Sequence, residues 1–444
     1  MMTSVTSKRK IQIETIGLSE VPESEKKTRW YDYAFIQMAF SVNTGNVLVP
    51  ALAVTAGGLS AGWAIASTLT GAIMAFILVS LLSLPGARYG LPAQYVIRTM
   101  IGSRLSMHFA SPVRSLTSLY WFAVQTIGGS IVVQFLLLEF AGVYLSLYLL
   151  APLFSIIMGV LALIGFEAVK KTIKWFIPIL FISQLLMLYL IIELISQDTS
   201  LIAKGEFSLG TCFFYGSLAF MQYVSGVSAS SDITRYAKSP REGFLGVLAG
   251  NVAGFTVVAL LGALFASALQ SVNPFVSASQ LTDSSPAILL IAAGAIISMI
   301  SINLSNAYTG GYSLLNAVPR LGRVKSALIF GVAATALSLF PSIVDEAEKY
   351  ISLLGAAVIP LSAVIIADYL FIKKLSIKKE HLTRLGMGGH YTNFSALLTV
   401  TLFVPIYLLI PDNLSPGLIV FTSACIFYTL LQNLVTNQSE ISHN

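Results

Sequence analysis

The chain alternates between long apolar runs and short polar loops, and this alternation constrains its fold more strongly than any other feature. Charged residues make up only 10% of the 444 residues, and the mean hydropathy is +0.81. A soluble domain usually carries about 25% charged residues because its surface faces water. A helix needs roughly 20 apolar residues to cross a bilayer core. The sequence therefore predicts an all-α integral membrane protein.

Twelve apolar runs, each bounded by charge, glycine or proline, are long enough to be membrane spans. The predicted spans lie at 32–56, 60–84, 112–138, 143–165, 174–195, 211–233, 243–269, 286–315, 324–341, 350–372, 393–410 and 415–435. The stretch from Gly86 to Met107 is too charged to span, and it is typical of a loop with a short interfacial helix.

The basic residues predict the orientation of these spans. With the N-terminus in the cytoplasm, the inner loops and the N-terminal tail hold 24 of the 26 Lys and Arg, and only Lys204 and Lys349 fall outside. Lys and Arg are disfavoured in translocated loops, so we expect a multi-pass protein of the cytoplasmic (plasma) membrane with both termini inside. Scattered through short loops, these charges form no nucleic-acid-binding face.

Three spans look interrupted by small polar residues at Ser41–Asn46, Ser225–Asp232 and Ser301–Asn306. Broken helices are tolerated in a membrane where they line a cavity. The first and sixth spans carry two of these stretches, which is what an inverted five-plus-five repeat would produce. The alternative is that small polar residues simply allow close helix packing.

The predicted organisation follows from this repeat. It comprises a cytoplasmic tail (1–29), a transport core (30–372, with spans one to five at about 30–195 and six to ten at about 211–372), two peripheral helices (373–435) and a second tail (436–444).

Ionisable side chains are scarce within the spans, and no carboxylate falls clearly at a membrane midpoint. A cationic substrate would need one there, whereas a neutral planar substrate would not. Trp121 and Gln125 lie four residues apart and so share one face of the third span. An aromatic ring and an amide together suit a heterocycle with hydrogen-bonding edges. The alternative is a packed Trp and a Gln bonded to a neighbouring helix.

Five segments, in order, carry a family resemblance. They are 86–98 (GARYGLPAQYVIR), 121–125 (WFAVQ) with Gly128 and Gly129, 165–170 (GFEAVK), 231–236 (SDITRY) and 366–373 (IADYLFIK). Over about residues 30–380 the chain resembles the nucleobase–cation symporter family, which includes cytosine and hydantoin permeases and fungal purine transporters. The resemblance implies the LeuT-type inverted-repeat fold with two extra C-terminal helices, and alternating access around a midplane site.

The resemblance also implies the site residues. In such relatives the Trp of the third span stacks on the base, the Gln bonds to it, a polar residue of the eighth span adds contacts, and an aromatic residue of the sixth often covers the other face. The implied substrate-binding residues are Trp121, Gln125, Asn306, Asn43 and either Tyr223 or Phe220.

A coupling-cation site in sodium-dependent relatives joins first-span carbonyls to eighth-span hydroxyls. Here that set would be Phe40, Asn43, Ser301 and Asn303. Relatives often carry a Ser-Thr pair where this chain has Ser301-Ile302, and the missing hydroxyl weakens a site for a hard ion. Sodium coupling, proton coupling and uniport all remain open at this point.

The resemblance therefore implies a monomeric carrier that imports a nucleobase-like heterocycle, cytosine or a purine above all, by cation-coupled symport. No cofactor other than Na⁺ is expected. The alternative is an amino-acid transporter of the same fold. An enzyme is disfavoured because no metal constellation or buried acid–base pair falls within the spans, and a channel because no selectivity motif is present.

Overall fold

The computed structural model describes residues 20–162, 166–202, 205–386 and 391–441, and its named elements are helices. The long helices and the short α8 are α1 (Trp30–Ser41), α2 (Thr44–Thr55), α3 (Ala61–Leu81), α4 (Ser111–Ala141), α5 (Leu147–Ala162), α6 (Phe166–Gln197), α7 (Leu209–Val224), α8 (Ser230–Thr234), α9 (Pro240–Leu269), α10 (Ser285–Ala317), α11 (Gly322–Leu337), α12 (Ala347–Ala367), α13 (Phe394–Leu409) and α14 (Pro416–Ile441). Short helices at Ser83–Tyr89, Ala93–Val96, Arg98–Ile101 and Ser103–Leu105 fill the predicted loop before α4.

Seven of the described helices are long and apolar enough to cross a membrane, or eight if the bent pair α1 and α2 forms one span. Two shorter apolar helices lie at 147–160 and Phe394–Leu409. The predicted sixth and ninth spans contain the shorter helices α7 and α11. The all-helical membrane architecture is confirmed, and the total of twelve spans stays a prediction.

The helices pack in two groups. Helices α1, α2, α3, α7 and α9, from spans one, two, six and seven, pack against one another; α4, α5, α10 and α11, from spans three, four, eight and nine, form the second group. Helix α6 packs on α10, α1 and α9. Each group thus combines two spans from the first five with the corresponding two from the second five, as a five-plus-five repeat requires.

The predicted break in the first span is confirmed. Helices α1 and α2 meet at an angle of 60°. Between them Asn43 takes an extended conformation, and its side chain accepts a hydrogen bond from the Asn46 N–H, which caps the start of α2. An Asn cap supplies an acceptor to backbone donors that have no intrahelical partner, and this explains why the helix can restart within an apolar environment.

The predicted break in the sixth span is also confirmed. A 3-10 turn at Ser225–Ser228 and a non-helical Ala229 separate α7 from α8. The Ser228 hydroxyl donates to the Ser225 carbonyl at 2.9 Å. Serine hydroxyls thus satisfy part of the backbone that the α-helix leaves unpaired here.

The predicted break in the eighth span is wrong, because α10 runs continuously from Ser285 to Ala317. The Ser301 and Thr309 hydroxyls donate to carbonyls four residues earlier, at 2.7 and 3.0 Å. Asn303 instead donates to the Phe122 carbonyl of α4 at 3.0 Å. The polar residues of this span therefore serve helix packing, which was the alternative interpretation of the pattern.

Both ends of the described chain pack on the helical core. Val21 is buried, and its N–H donates to the Gly90 carbonyl at 3.0 Å, so part of the predicted N-terminal tail is ordered against the core. Helices α13 and α14 pack on α12, where Tyr428 donates to Asp368 at 2.7 Å. The predicted tail residues 1–19 and 442–444, Lys204 and Gly165 lie outside the described residues.

Candidate functional site

The two helix breaks border a cavity of about 160 Å³. Its polar lining is Gln37, Ser41, Asn46, Arg114, Gln125, Gln222, Ser225, Ser230, Asn251, Ser305, Asn306 and Thr309, and its aromatic lining is Phe40, Phe76, Trp121 and Tyr223. Such a volume holds roughly ten water molecules, and so a molecule with on the order of ten non-hydrogen atoms. This is the size of a small heterocycle.

The cavity extends from the breaks toward the side on which the basic loops lie. Val79 of α3, Val247 of α9 and Arg114 of α4 line it, and each lies in the half of its helix nearest those loops. The described conformation therefore places the cavity on the predicted cytoplasmic side of the breaks.

Trp121 offers the cavity a flat apolar surface. Its ring packs edge-on against Tyr120 at 5.0 Å between centroids. A Cβ atom on Gly45 would lie 3.3 Å from the Trp121 ring and 2.5 Å from Gln125 Nε2, so the missing side chain at Gly45 leaves room for both. The predicted pair Trp121 and Gln125 is thus brought to the break itself.

Gln125 is buried, and its amide is engaged by the first span. Its Nε2 donates to Asn43 Oδ1 at 2.6 Å. Its Oε1 accepts from the Thr44 hydroxyl at 3.3 Å and from the Gly45 N–H at 3.4 Å. A substrate that pairs with Gln125 must therefore replace some of these bonds.

Asn43 holds the break together and is not among the described residues that line the cavity, and its role as a substrate contact stays a prediction. It is fully buried, and its Nδ2 donates to the Phe40 carbonyl at 2.6 Å and to the Ser41 carbonyl at 3.2 Å. Because its Oδ1 accepts from both Asn46 and Gln125, Asn43 links the break to α4.

Of the two sixth-span aromatics, Tyr223 lines the cavity and Phe220 does not. Tyr223 packs against Phe76 at 4.7 Å, and its buried hydroxyl has no hydrogen-bond partner among the described residues. Phe220 is buried against Phe421 of α14, with ring centroids 5.0 Å apart. Its side chain faces the C-terminal helices, and the choice between Tyr223 and Phe220 as the substrate contact stays a prediction.

Gln222 is a cavity residue that the sequence reasoning missed. Its Nε2 donates to Asn46 Oδ1 at 3.1 Å and to the Gly45 carbonyl at 3.4 Å, which ties the sixth span to the first. Its buried Oε1 has no hydrogen-bond partner in the described part of the chain. Buried polar atoms are usually paired, so this oxygen is an acceptor that a bound molecule can satisfy.

The predicted eighth-span residue Asn306 lines the cavity. Its Nδ2 donates to Asn303 Oδ1 at 3.2 Å. Asn303 itself is fully buried and donates to the Phe122 carbonyl at 3.0 Å and to the Thr126 hydroxyl at 3.2 Å, both on α4. Asn303 therefore accepts a hydrogen bond from Asn306 and itself donates to the third span.

The predicted cation-binding set is Phe40, Asn43, Ser301 and Asn303. In the described conformation the Asn43 amide donates to the Phe40 carbonyl at 2.6 Å, and Asn303 donates to the Phe122 carbonyl of α4 at 3.0 Å. The first and eighth spans also meet where the Ser298 hydroxyl donates to the Ala39 carbonyl at 2.8 Å. The cation-binding set stays a prediction. The described residues contain no group of three His, Cys, Asp or Glu side chains able to hold a metal ion.

Arg114 is the second cavity residue that the sequence analysis does not predict as part of the site, although it lies in the predicted third span. Its guanidinium donates to the Ser225 carbonyl at 3.3 Å and to the Thr309 hydroxyl at 3.4 Å, and its buried Nε has no partner in the described ranges. A signal was available, because Arg114 lies two helical turns before Trp121 and so on the same face. Among the residues that the structure describes, no Asp, Glu or Lys lines the cavity.

Comparison with known sequences identifies relatives along most of the chain. A family described as permeases for cytosine and purines, uracil, thiamine and allantoin matches residues 20–430. The allantoin permease of Bacillus subtilis (strain 168) is 24% identical over 432 residues, covering 88% of this chain and 87% of that protein. The hydantoin permease of Microbacterium maritypicum is 24% identical over 378 residues, covering 79% and 75%.

A solved structure shares the fold. Mhp1, described as a nucleobase-cation-symport-1 family transporter in a closed conformation with bromovinylhydantoin bound, superposes with a TM-score of 0.75 at 20% identity. The match covers 97% of each chain. At this identity the likeness shows the fold alone, and that fold is the LeuT type with its five-plus-five repeat.

Proposed function

Because the chain belongs to the family of permeases for cytosine and purines, uracil, thiamine and allantoin, we propose that this transporter imports a nucleobase or a related planar heterocycle. The observation that carries the proposal is the cavity wall formed by Trp121, Gln125 and Asn306. The indole gives a surface for stacking, and the amides offer both donors and acceptors. Cytosine and purines fit this description, and so do the rings named for the relatives, allantoin and hydantoin.

The proposed cycle moves the two helix groups against each other. A ring stacks on Trp121 of one group and exchanges hydrogen bonds with Gln125, whose partners lie at the first-span break of the other group. Gln222 follows because it is bonded to the same break. A substrate that binds one arrangement of the groups more tightly shifts their equilibrium, and this is what alternating access requires.

We further propose that transport is coupled to a cation, as the family name printed for Mhp1 states for that protein. Support from this chain is limited to the contact between the first and eighth spans at Ala39 and Ser298, where oxygen atoms meet. Sodium and protons both stay within the proposal. The protein is also proposed to work as a monomer in the cytoplasmic membrane with both termini inside, in keeping with the distribution of Lys and Arg.

An amino-acid transporter of the same fold is the competing function. Its substrate carboxylate would bind to unpaired N–H groups at the first-span break. Here the Asn46 N–H is already bonded to Asn43 at 2.9 Å, and the Gly45 N–H contacts Gln125 at 3.4 Å. These bonds favour the heterocycle over the amino acid.

The test is ligand-dependent thermal stabilisation of the purified protein with cytosine, purines, uracil, allantoin, hydantoin and amino acids, in sodium and in choline. A ring compound should raise the melting temperature. Trp121→Ala should weaken its binding by roughly 5- to 150-fold, since stacking on an aromatic side chain contributes about 1–3 kcal/mol per base. Trp63→Ala, which removes an exposed indole beside Phe207, is the matched control and should bind normally.

Unchanged affinity in Trp121→Ala would contradict the site, and stabilisation by amino acids alone would replace the proposed function by its competitor. Stabilisation that depends on sodium would support sodium coupling. Equal stabilisation in both salts would favour protons or uniport.

A further inference from the structure

The formal charge on the cavity wall comes from one residue. Arg114 is the only Lys, Arg, Asp or Glu among the residues that line the cavity in the described part of the chain. It sits one turn inside the basic end of α4, and its guanidinium spans from the sixth-span break to the eighth span. Any molecule in the cavity therefore meets a positive charge.

This positive charge has no acidic partner in contact. None of the ion pairs of the described residues includes Arg114. Asp232 acts on Arg114 only at longer range, and its carboxylate accepts a hydrogen bond from the Ala93 N–H at 2.7 Å. The two acceptors that Arg114 does contact are neutral oxygens at 3.3 and 3.4 Å.

The guanidinium also retains hydrogen-bonding capacity. It carries five N–H donors, of which two are engaged, and its buried Nε has no partner in the ranges that the structure describes. Burying a charge away from water raises the free energy of the protein unless a ligand or an opposite charge interacts with it. Bonds from a charged donor are worth about 1.5–3 kcal/mol each, more than bonds between neutral groups.

We propose that Arg114 is a specificity-determining residue that makes this cavity selective for carbonyl-rich, neutral or anionic heterocycles. The favoured class comprises imides, ureides and ring diones, and the disfavoured class comprises cationic compounds and bases whose exposed edge is an amino group. The inference rests on the proposed function and deepens it, because the family description includes rings of both kinds, allantoin and uracil on one side and cytosine and thiamine on the other.

The geometry explains how one residue can discriminate. Arg114 and Trp121 lie on the same face of α4, two turns apart, which is about 10 Å along the helix axis. A ring on Trp121 therefore points its far edge, or a substituent, toward the guanidinium. A carbonyl oxygen or a deprotonated ring nitrogen accepts a hydrogen bond from the guanidinium. An amino group cannot accept this bond because both groups are donors, and a cationic substrate is repelled by the positive charge of Arg114.

The experiment measures dissociation constants of the purified full chain for allantoin, hydantoin, urate, cytosine and thiamine. The wild-type protein should bind allantoin or hydantoin more tightly than cytosine and should not bind thiamine. Arg114→Gln should weaken binding of the carbonyl-rich compounds and of urate by about 10- to 150-fold, as expected for one lost charge-assisted bond. Cytosine binding should change by less than about threefold. Arg114→Lys, which keeps the charge, should recover part of the loss.

Arg88→Gln is the matched control. Arg88 is an exposed arginine on the same side, donates to the Leu375 carbonyl and does not line the cavity. Its substitution removes the same charge from the same side of the molecule, so a loss of affinity in this variant too would overturn the assignment to the cavity.

The inference is overturned if Arg114→Gln weakens cytosine and allantoin alike, if it changes neither, or if the wild-type protein prefers thiamine or cytosine. If Arg114→Gln does not fold, the inference is tested by the order of affinities for the five compounds in the wild-type protein and in Arg114→Lys. Failure of every ring compound to bind the wild-type protein would instead refute the proposed function, and the two failures are thereby distinguished.

Discussion

Gly71 lies where α3 and α7 pack closely, and its replacement by alanine gives a quantitative test of the helix arrangement. A Cβ atom at this position would lie 1.9 Å from the Gly216 carbonyl oxygen and 2.7 Å from its carbon. Both atoms are backbone, so no rotamer change can relieve the contact. The helices would have to separate by about 1.5 Å for the closest of these contacts to reach the ordinary 3.4 Å.

Gly62 on the same helix is the matched control, because a Cβ there meets nothing within 4 Å. Gly71→Ala gains a helix propensity of about 0.5–1 kcal/mol, and Gly62→Ala, in the first turn of α3, gains no more than that. Any deficit of Gly71→Ala relative to Gly62→Ala is therefore a lower bound on the overpacking cost, which is typically about 1–3 kcal/mol. The backbone clash places Gly71→Ala near the upper value.

Thermal unfolding of both variants in detergent measures this difference. An unfolding entropy of about 2.1 cal/mol/K per residue gives about 0.9 kcal/mol/K for the whole chain, so a difference of about 3 kcal/mol separates the melting temperatures by about 3 °C. Gly62→Ala should unfold at or above the wild-type temperature. Equal melting temperatures for the two variants would refute the packing of the second span on the sixth.

Three further predictions concern the site and its supports. Asn43→Ala removes both the acceptor that caps α2 and the 2.6 Å bond to Gln125, and should destabilise the protein by about 1–2 kcal/mol in thermal unfolding; an unchanged melting temperature would contradict this. Ser298→Ala removes the bond between the first and eighth spans, and we expect a stability loss of about 1 kcal/mol with a rise in the cation concentration that gives half-maximal uptake; an unaltered cation dependence would exclude a cation at this contact. Tyr428→Phe takes one donor from the buried Asp368 carboxylate and should destabilise the protein by about 1–3 kcal/mol in thermal unfolding without changing substrate affinity; a loss of affinity would mean that the C-terminal helices act on the site.

Local structure could be predicted from the sequence where the residues present are compatible with one backbone structure. The small polar residues of Ser41–Asn46 predicted a broken helix, and the structure shows that an Asn cap at Asn43 restarts it. The cluster from Ser301 to Thr309 could not be distinguished from it by composition, since Ser and Thr can also bond to carbonyls of their own unbroken helix. Only the three-dimensional partners decide between these outcomes.

The second feature that the sequence could not predict was the direction in which side chains point. The sixth span offered Phe220, Gln222 and Tyr223 within one turn, and nothing in their order showed which face would meet the cavity. Arg114 lies within the predicted third span (112–138), which begins one residue after the observed start of α4 at Ser111. Its spacing from Trp121 was visible in the sequence, but only the three-dimensional partners show that an arginine so close to the helix end lines the cavity.

The bonds that Gln125 makes to the first-span break bear on how fast a carrier of this kind can turn over. In the described conformation both ends of its amide are bonded to Asn43, Thr44 and Gly45, so this one group is not left unpaired when the site is empty. At Gln125 a heterocycle then exchanges bonds with the protein instead of adding to them. This exchange narrows the difference in free energy between the loaded and the empty carrier, and a smaller difference lets the empty protein return faster to bind its next substrate molecule.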